Sequence, residues 1–180
     1  TIAAQVASFE LDMGFIEGEL QHADLDSLHW RGDELVVFAA PDHPLAKASA
    51  LSDADLLTLP WIVREHGSGT RQAFERAMHG ILTDLDIAME LQHTEAIKRA
   101  VEAGLGVGCL SRVCLVDAFS RGTLVPLAVP ERDFRREWFL ITHREKFHSA
   151  GLLSANDRCQ GFQCLYTICA GPDLGLASRA

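Results

Sequence analysis

The sequence predicts an α/β protein with a largely parallel sheet. Short apolar runs alternate along the chain with segments whose apolar residues recur at helical spacing. Two of the helical segments follow an apolar run through a hydroxyl-bearing junction, in WIVREHGSGT and ELQHTEA, as strand-to-helix crossovers do. Of 180 residues, 48% are hydrophobic and 23% charged, which suits one globular domain or two small lobes.

Taken in order, Ile2, Val6 and Phe9 fall on one helical face. LDMGFIEG reads as a short strand that turns at Gly18. ELVVFAA, from Glu34 to Ala40, is nearly all apolar, the mark of a strand covered on both faces. Pro41 and Pro44 end it, because proline cannot donate to a ladder. Leu51 to Leu59 is expected as a helix capped by Ser52. Trp61 to Val63 reads as a strand and Thr70 to Met78 as a helix, with Ala73, Phe74, Ala77 and Met78 as its apolar stripe. Leu85 to Leu91 reads as a strand with an acidic edge.

The most legible unit follows. Thr94 is expected to cap a helix with Glu95 in its first turn and Ala96, Ile97, Ala100 and Val101 buried. Gly104 ends that helix in the left-handed conformation that glycine adopts cheaply. Val107 to Leu110 and Glu137 to His143 read as strands, Leu115 to Phe119 as helix and Thr123 to Val129 as extended chain. From Asn156 the composition changes: Cys159, Phe162, Leu165, Tyr166 and Cys169 could share a helix face, and Gly, Pro and Ser follow.

Charge and ligand inventory narrow the function. Sixteen Lys and Arg against 25 Asp and Glu give a net charge of −9, a poor surface for gripping a phosphate backbone. No apolar run approaches the roughly 20 residues that span a bilayer, and the first residues lack the pattern of a secretory signal. The five cysteines are an odd count, with Cys109 and Cys114 in apolar surroundings, which favours a reducing, cytoplasmic setting. The eight histidines lack the spacing of a helical zinc pair, and the cysteines of the tail match no zinc pattern. No metal and no cofactor is expected.

REHGSGT admits three chemistries. A Walker loop needs a lysine after its last glycine, and here Thr70 and Arg71 follow Gly69. A nucleophile elbow on Ser68 needs glycine two residues earlier, where His66 stands, and no triad partners can be placed. The third is capture of an anion by the unpaired amides of a helix start, helped by the hydroxyls of Ser68 and Thr70. The bland alternative is that Ser68 or Thr70 merely caps its own helix. His93, Thr94 and Glu95 form a second junction of the same design, and open α/β sheets bind ligands beyond the carboxyl ends of their strands. Glu17 and Gly18 close the first strand, and Glu17 and Glu65 are candidates to receive an amine or hydroxyl, the alternative being that both are simply solvated. Cys109 lies in an apolar strand, where burial is the simpler reading than nucleophilic use.

LDMGFIEG, DELVVFAAPDHPLA, WIVREHGSGTRQAFE and TEAIKRAVEAGLGVGCLS, in this order, resemble the effector-binding domain of LysR-type transcriptional regulators. The REHGSGTR form is most similar to the branch that includes the regulators called CysL and CbbR. The resemblance runs from about Ile2 to Leu153. It implies a periplasmic-binding-protein-like fold: two α/β lobes, two crossing segments and a ligand cleft between the lobes. On this mapping residues 1–39 and 130–155 form lobe I, residues 40–129 form lobe II, and residues 156–180 are a divergent tail. Lobe I is expected to lack its first strand and helix, and the chain to lack the winged helix-turn-helix of the family.

The resemblance places Glu17, Gly18, His66, Ser68, Gly69, Thr70 and Thr94 in the cleft, and the reading of the two junctions adds Arg64, Glu65, His93 and Glu95 to the candidate ligand site. The expected function is effector sensing without enzymatic activity. A small anionic metabolite or inorganic anion binds in the cleft and modulates DNA binding by a module absent from this chain. A homodimer or homotetramer is expected, with no membrane partner. The alternative is a solute-binding protein of a transport system with the same fold.

Overall fold

A computed structural model describes residues 1–145. The helix face drawn through Cys159 to Cys169 lies outside the described residues. The described chain forms two compact units, one of Thr1–Asp33 with residues 136–145, the other of Glu34–Arg135. The chain therefore passes between units at Asp33/Glu34 and again at Arg135/Arg136.

In the first unit, helix α1 (Ile2–Ala7) is followed by strand β1 (Met13–Glu17). The long strand β2 (Leu25–Ala39) begins in this unit, and β7 (Arg135–His143) ends in it. β1 pairs antiparallel with β7, from Met13 opposite Thr142 to Glu17 opposite Trp138. Val6 of α1 packs with Leu25 and Ile141 in a small core. Phe9, just past the helix, has a left-handed φ of 60° and stacks on His143 with ring centroids 4.1 Å apart.

The second unit is a sheet with helices on both faces. Its further strands are β3 (Pro60–Arg64), β4 (Asp86–Leu91), β5 (Val107–Ser111) and β6 (Val125–Leu127). Its helices are α2 (Asp53–Leu56), α3 (Gly69–Ala77), α4 (Thr94–Glu102) and α5 (Arg112–Arg121). β3 lies between β4 and β5 and is parallel to both, while β2 runs antiparallel to β5 and carries β6 on its other side. Phe74, Ala77 and Met78 of the α3 region pack with Trp61, Val63 and Cys109 on one face. Ile97 and Val101 of α4 and Leu115 and Ala118 of α5 pack with Ile62 and Leu110 on the other. Burying side chains of this size stabilises by about 1.5–3 kcal/mol each, so the two layers fix where every helix begins.

The structure corrects several expectations. The sheet is mixed: β3, β4 and β5 run parallel, whereas β1 with β7, β2 with β5 and β2 with β6 pair antiparallel. β2 starts at Leu25, ahead of its apolar run, because its first half mixes exposed and half-buried positions. The helix expected from Leu51 to Leu59 is cut to Asp53–Leu56, since the residue before Pro60 is pushed out of helical geometry. Thr94 does not cap α4. The first intrahelical bond runs from Ile97 N–H to the His93 carbonyl at 3.2 Å, which makes His93 the N-cap and Thr94 the first helical residue. Ala96, assigned to the buried stripe, is exposed. Gly104 does take the left-handed conformation after α4, with φ of 76°. Among the described residues no helix is long and apolar enough to cross a membrane.

Candidate functional site

The second unit brings three helix starts to one edge. β3 ends at Arg64 and β4 at Leu91, which are partners in register, and Ile62 pairs with Gly108 of β5 three residues before that strand ends at Ser111. Parallel strands with level ends deliver their following helices to the same rim. β3 leads into α3 on one face, whereas its neighbours β4 and β5 lead into α4 and α5 on the other. The carboxyl ends of parallel strands whose following helices diverge to opposite faces are the usual ligand position in an open α/β sheet.

None of the three starts is closed by its own side chain. Ser68, His93 and Ser111 are the N-caps of α3, α4 and α5, and none makes a side-chain capping bond. Elsewhere Thr1 caps α1 and Ser52 caps α2 with its side chain. The amides of the first turns of α3 to α5 thus face the rim with partial positive charge. Ser68, Thr94 and Ser111 are nevertheless buried, at 8%, 8% and 2% exposure, so these hydroxyls sit within the protein surface. Gly67 precedes Ser68 with φ of 90°, a conformation closed to most side chains, and this turn brings the chain from β3 into α3.

The charged groups around the rim are tied to each other. Arg64, 5% exposed, donates to Glu65 from Nε at 2.7 Å and from Nη2 at 2.9 Å. These bonds hold the Glu65 carboxyl below its ordinary range against the opposing effect of burial, and nearby His93 adds to the lowering. Arg71 donates to the Arg64 carbonyl at 3.1 Å, to Glu75 at 2.7 Å and to Glu90 at 3.5 Å. His66 is exposed, with its ring nitrogens 3.8 Å from Glu75 and 3.7 Å from Glu90. Glu95 is exposed and paired with Lys98. Gly69 and Thr70 open α3 and are half-buried.

Nine of the sequence-derived site residues therefore lie in the second unit, along the β3–α3 and β4–α4 junctions. Glu17 and Gly18 belong to the first unit. Glu17 ends β1 with Oε2 3.7 Å from Arg136 Nη1, and Gly18 donates its N–H to the Glu137 carbonyl at 2.8 Å. Ser111 and Arg71 were not among the candidates. Ser111 was findable as a hydroxyl directly after an apolar strand, the pattern that singled out Thr94. Arg71 acts through the loop it fastens.

The whole arrangement matches a known family. The model described as the LysR substrate binding domain matches residues 1–159. An uncharacterized HTH-type transcriptional regulator, YeiE of Escherichia coli strain K12, is 44% identical over 154 residues, covering 86% of this chain and 52% of that protein. The HTH-type transcriptional regulator CbbR of Cereibacter sphaeroides is 38% identical over 109 residues, covering 58% of this chain and 34% of that protein. The chain thus spans about half the length of the first of these relatives, or less of the other. Among solved structures, the regulatory domain of Synechocystis PCC6803 CcmR in complex with 2-PG superposes with a TM-score of 0.75 at 31% identity, covering 88% of this chain and 76% of that one. The fold is the α/β, periplasmic-binding-protein-like fold of such effector-binding domains. The chain belongs to the LysR substrate-binding domain family.

Proposed function

We propose that this chain is the effector sensor of a transcriptional regulator and that it binds a small anionic metabolite or an inorganic anion. The observation that carries the reading is the rim of three helix starts without side-chain caps, gathered above the end of β3 with buried hydroxyls beside them. Amides at the starts of α3 and α4, with Ser68, Thr70 and Thr94, donate to the acid. Arg64, Glu65, His66 and His93 set the charge around it. The related CcmR domain holds 2-PG, which makes 2-PG a first compound to try. DNA binding belongs to a helix-turn-helix module outside this chain, assembly is as a homodimer or homotetramer, and the setting is cytoplasmic. An effector can shift such a regulator only by binding one conformational state more tightly than another.

Calorimetric titration of the 180-residue chain with 2-PG, sulfate, phosphate and simple carboxylates tests this. Saturable binding of at least one is expected, and Ser68→Ala with Thr94→Ala lowers its affinity about a hundredfold, from two hydrogen bonds to a charged group at about 1.5 kcal/mol each. Absence of binding across the panel, or equal affinity in the double variant, overturns the reading.

A further inference from the structure

Arg132 is tied to the opposite end of the helix that opens at Ser68. Its side chain is only 10% exposed. Nη1 donates at 2.9 Å to the carbonyls of Ala77 and His79, where α3 ends. Nε and Nη2 donate to the two carboxylate oxygens of Asp53, the first residue of α2, at 2.9 Å and 2.7 Å. The last carbonyls of a helix have no donor within it, and a guanidinium suits the partial negative charge there. All of these residues belong to the second unit.

Arg132 itself stands in the segment that runs from Leu127, the end of β6, to the crossing at Arg135/Arg136 by which the chain leaves this unit. Backbone bonds hold the segment near both ends, from Leu51 N–H to the Ala128 carbonyl at 2.8 Å and from Leu35 N–H to the Phe134 carbonyl at 3.0 Å. Between these two anchors Arg132 fastens it to α3. A cavity of about 630 Å³ lies along the segment, with Val36, Pro126, Pro130 and Phe134 in its lining, so the segment has room to shift.

α3 is a stiff link. Its nine residues span about 13 Å at 1.5 Å each. A hydrogen-bonded backbone does not shorten, and Phe74, Ala77 and Met78 hold it to a close-packed layer. A small displacement of its start by a bound anion therefore reaches its end. We propose that Arg132 is a positioning residue for effector sensing, which passes movement of α3 to the segment leading to the second crossing. The proposal rests on the effector-sensing reading and adds to it the path by which occupancy leaves the unit.

Hydrogen–deuterium exchange of the 180-residue chain, with and without saturating 2-PG or sulfate, tests it. Binding is expected to slow exchange at residues 69–72, beside the anion, and also at residues 131–135, by about threefold. Arg132→Met keeps an apolar stem and loses the donors, so the first response stays and the second disappears. Ser52→Ala weakens the neighbouring α2 without removing a bond of Arg132 and is expected to keep both, which separates coupling from general loosening. Slowing at 69–72 without slowing at 131–135, or equal slowing in Arg132→Met, overturns the proposal and leaves the sensor reading intact. If Arg132→Met does not fold, Arg132→Lys takes its place. An ammonium does not reproduce the fork to Asp53 together with both carbonyl bonds, so an undiminished response there overturns the proposal equally. No slowing at either place with any anion of the panel removes both.

Discussion

Ser52 and Ser68 hold the same position in two helices and are used in opposite ways. Each is an N-cap with extended backbone, φ −88° and ψ 168° for Ser52, φ −67° and ψ 134° for Ser68. Ser52 closes its helix: its hydroxyl accepts from the Asp55 amide, and the Asp55 carboxylate accepts from the Ser52 N–H at 2.8 Å. Ser68 makes no capping bond. The difference lies three residues on, where α2 has Asp55 and α3 has Arg71. A guanidinium has no acceptor to return to the cap, and Arg71 turns instead to the Arg64 carbonyl and Glu75. The same position is Ala96 in α4 and Cys114 in α5. The reciprocal bonds of Ser52 and Asp55 make the start of α2 a structural joint, whereas the start of α3 has no side-chain cap from Ser68.

Removing Arg71 breaks the comparison most severely. Arg71→Ala strips Glu75 and Glu90 of a counter-ion and the Arg64 carbonyl of a donor. The expected loss is about 2–3 kcal/mol, below that of a fully enclosed ion pair because both carboxylates reach solvent. Urea unfolding measures it, and a loss under about 1 kcal/mol means that the loop is held by other contacts. On the same measurement Ser52→Ala is expected to cost about 1 kcal/mol and Ser68→Ala less than about 0.5 kcal/mol, with the order reversed for anion affinity. Equal stability losses would erase the distinction between joint and site.

The contrast was only partly legible in the sequence. Ser52 with Asp55 is a local signature, as is Gly104 after α4, and both were readable because each is complete within a few residues. Strands β3 and β5 were readable because burial on both faces leaves an apolar run. The first half of β2 was not, since residues such as His29 are placed by partners far along the chain, here Glu137 at 2.7 Å. Strand direction is equally nonlocal, so an antiparallel β2 left no trace in its own residues. At the site, Thr94 and Ser68 stood out as hydroxyls after strands, but the cap of α4 fell one residue earlier because hydrogen-bond phase is not written in residue type.

A smaller change sharpens the comparison from the other side. Ala96 is exposed, so Ala96→Glu puts an acid at the third position of α4 without disturbing the core. The helix dipole makes this favourable by a few tenths of a kcal/mol, while the new charge at the rim competes with an anionic ligand. A slightly raised urea midpoint with affinity lowered several-fold is expected. Unchanged affinity would place the anion away from the start of α4.

The smallest effect concerns pH. Glu65 is kept ionised below its ordinary range by Arg64, as Asp55 is by the hydroxyl and amide of Ser52. A carboxyl whose folded pKa is depressed adds stability above its unfolded value, near 4.5 for Glu65, and loses it as pH falls through the folded value. Both pairs therefore predict flat stability between neutrality and about pH 5, then a decline. Their effects on the ligand differ. Protonating Glu65 removes its negative charge from the rim, so anion affinity should rise as stability falls, and Glu65→Gln should reproduce that rise at pH 7 by several-fold. Asp55→Asn should flatten the acid decline and leave affinity alone. If Glu65→Gln leaves the anion's dissociation constant unmoved, Arg64 is held for structure only, and the rim relies on its amides and hydroxyls.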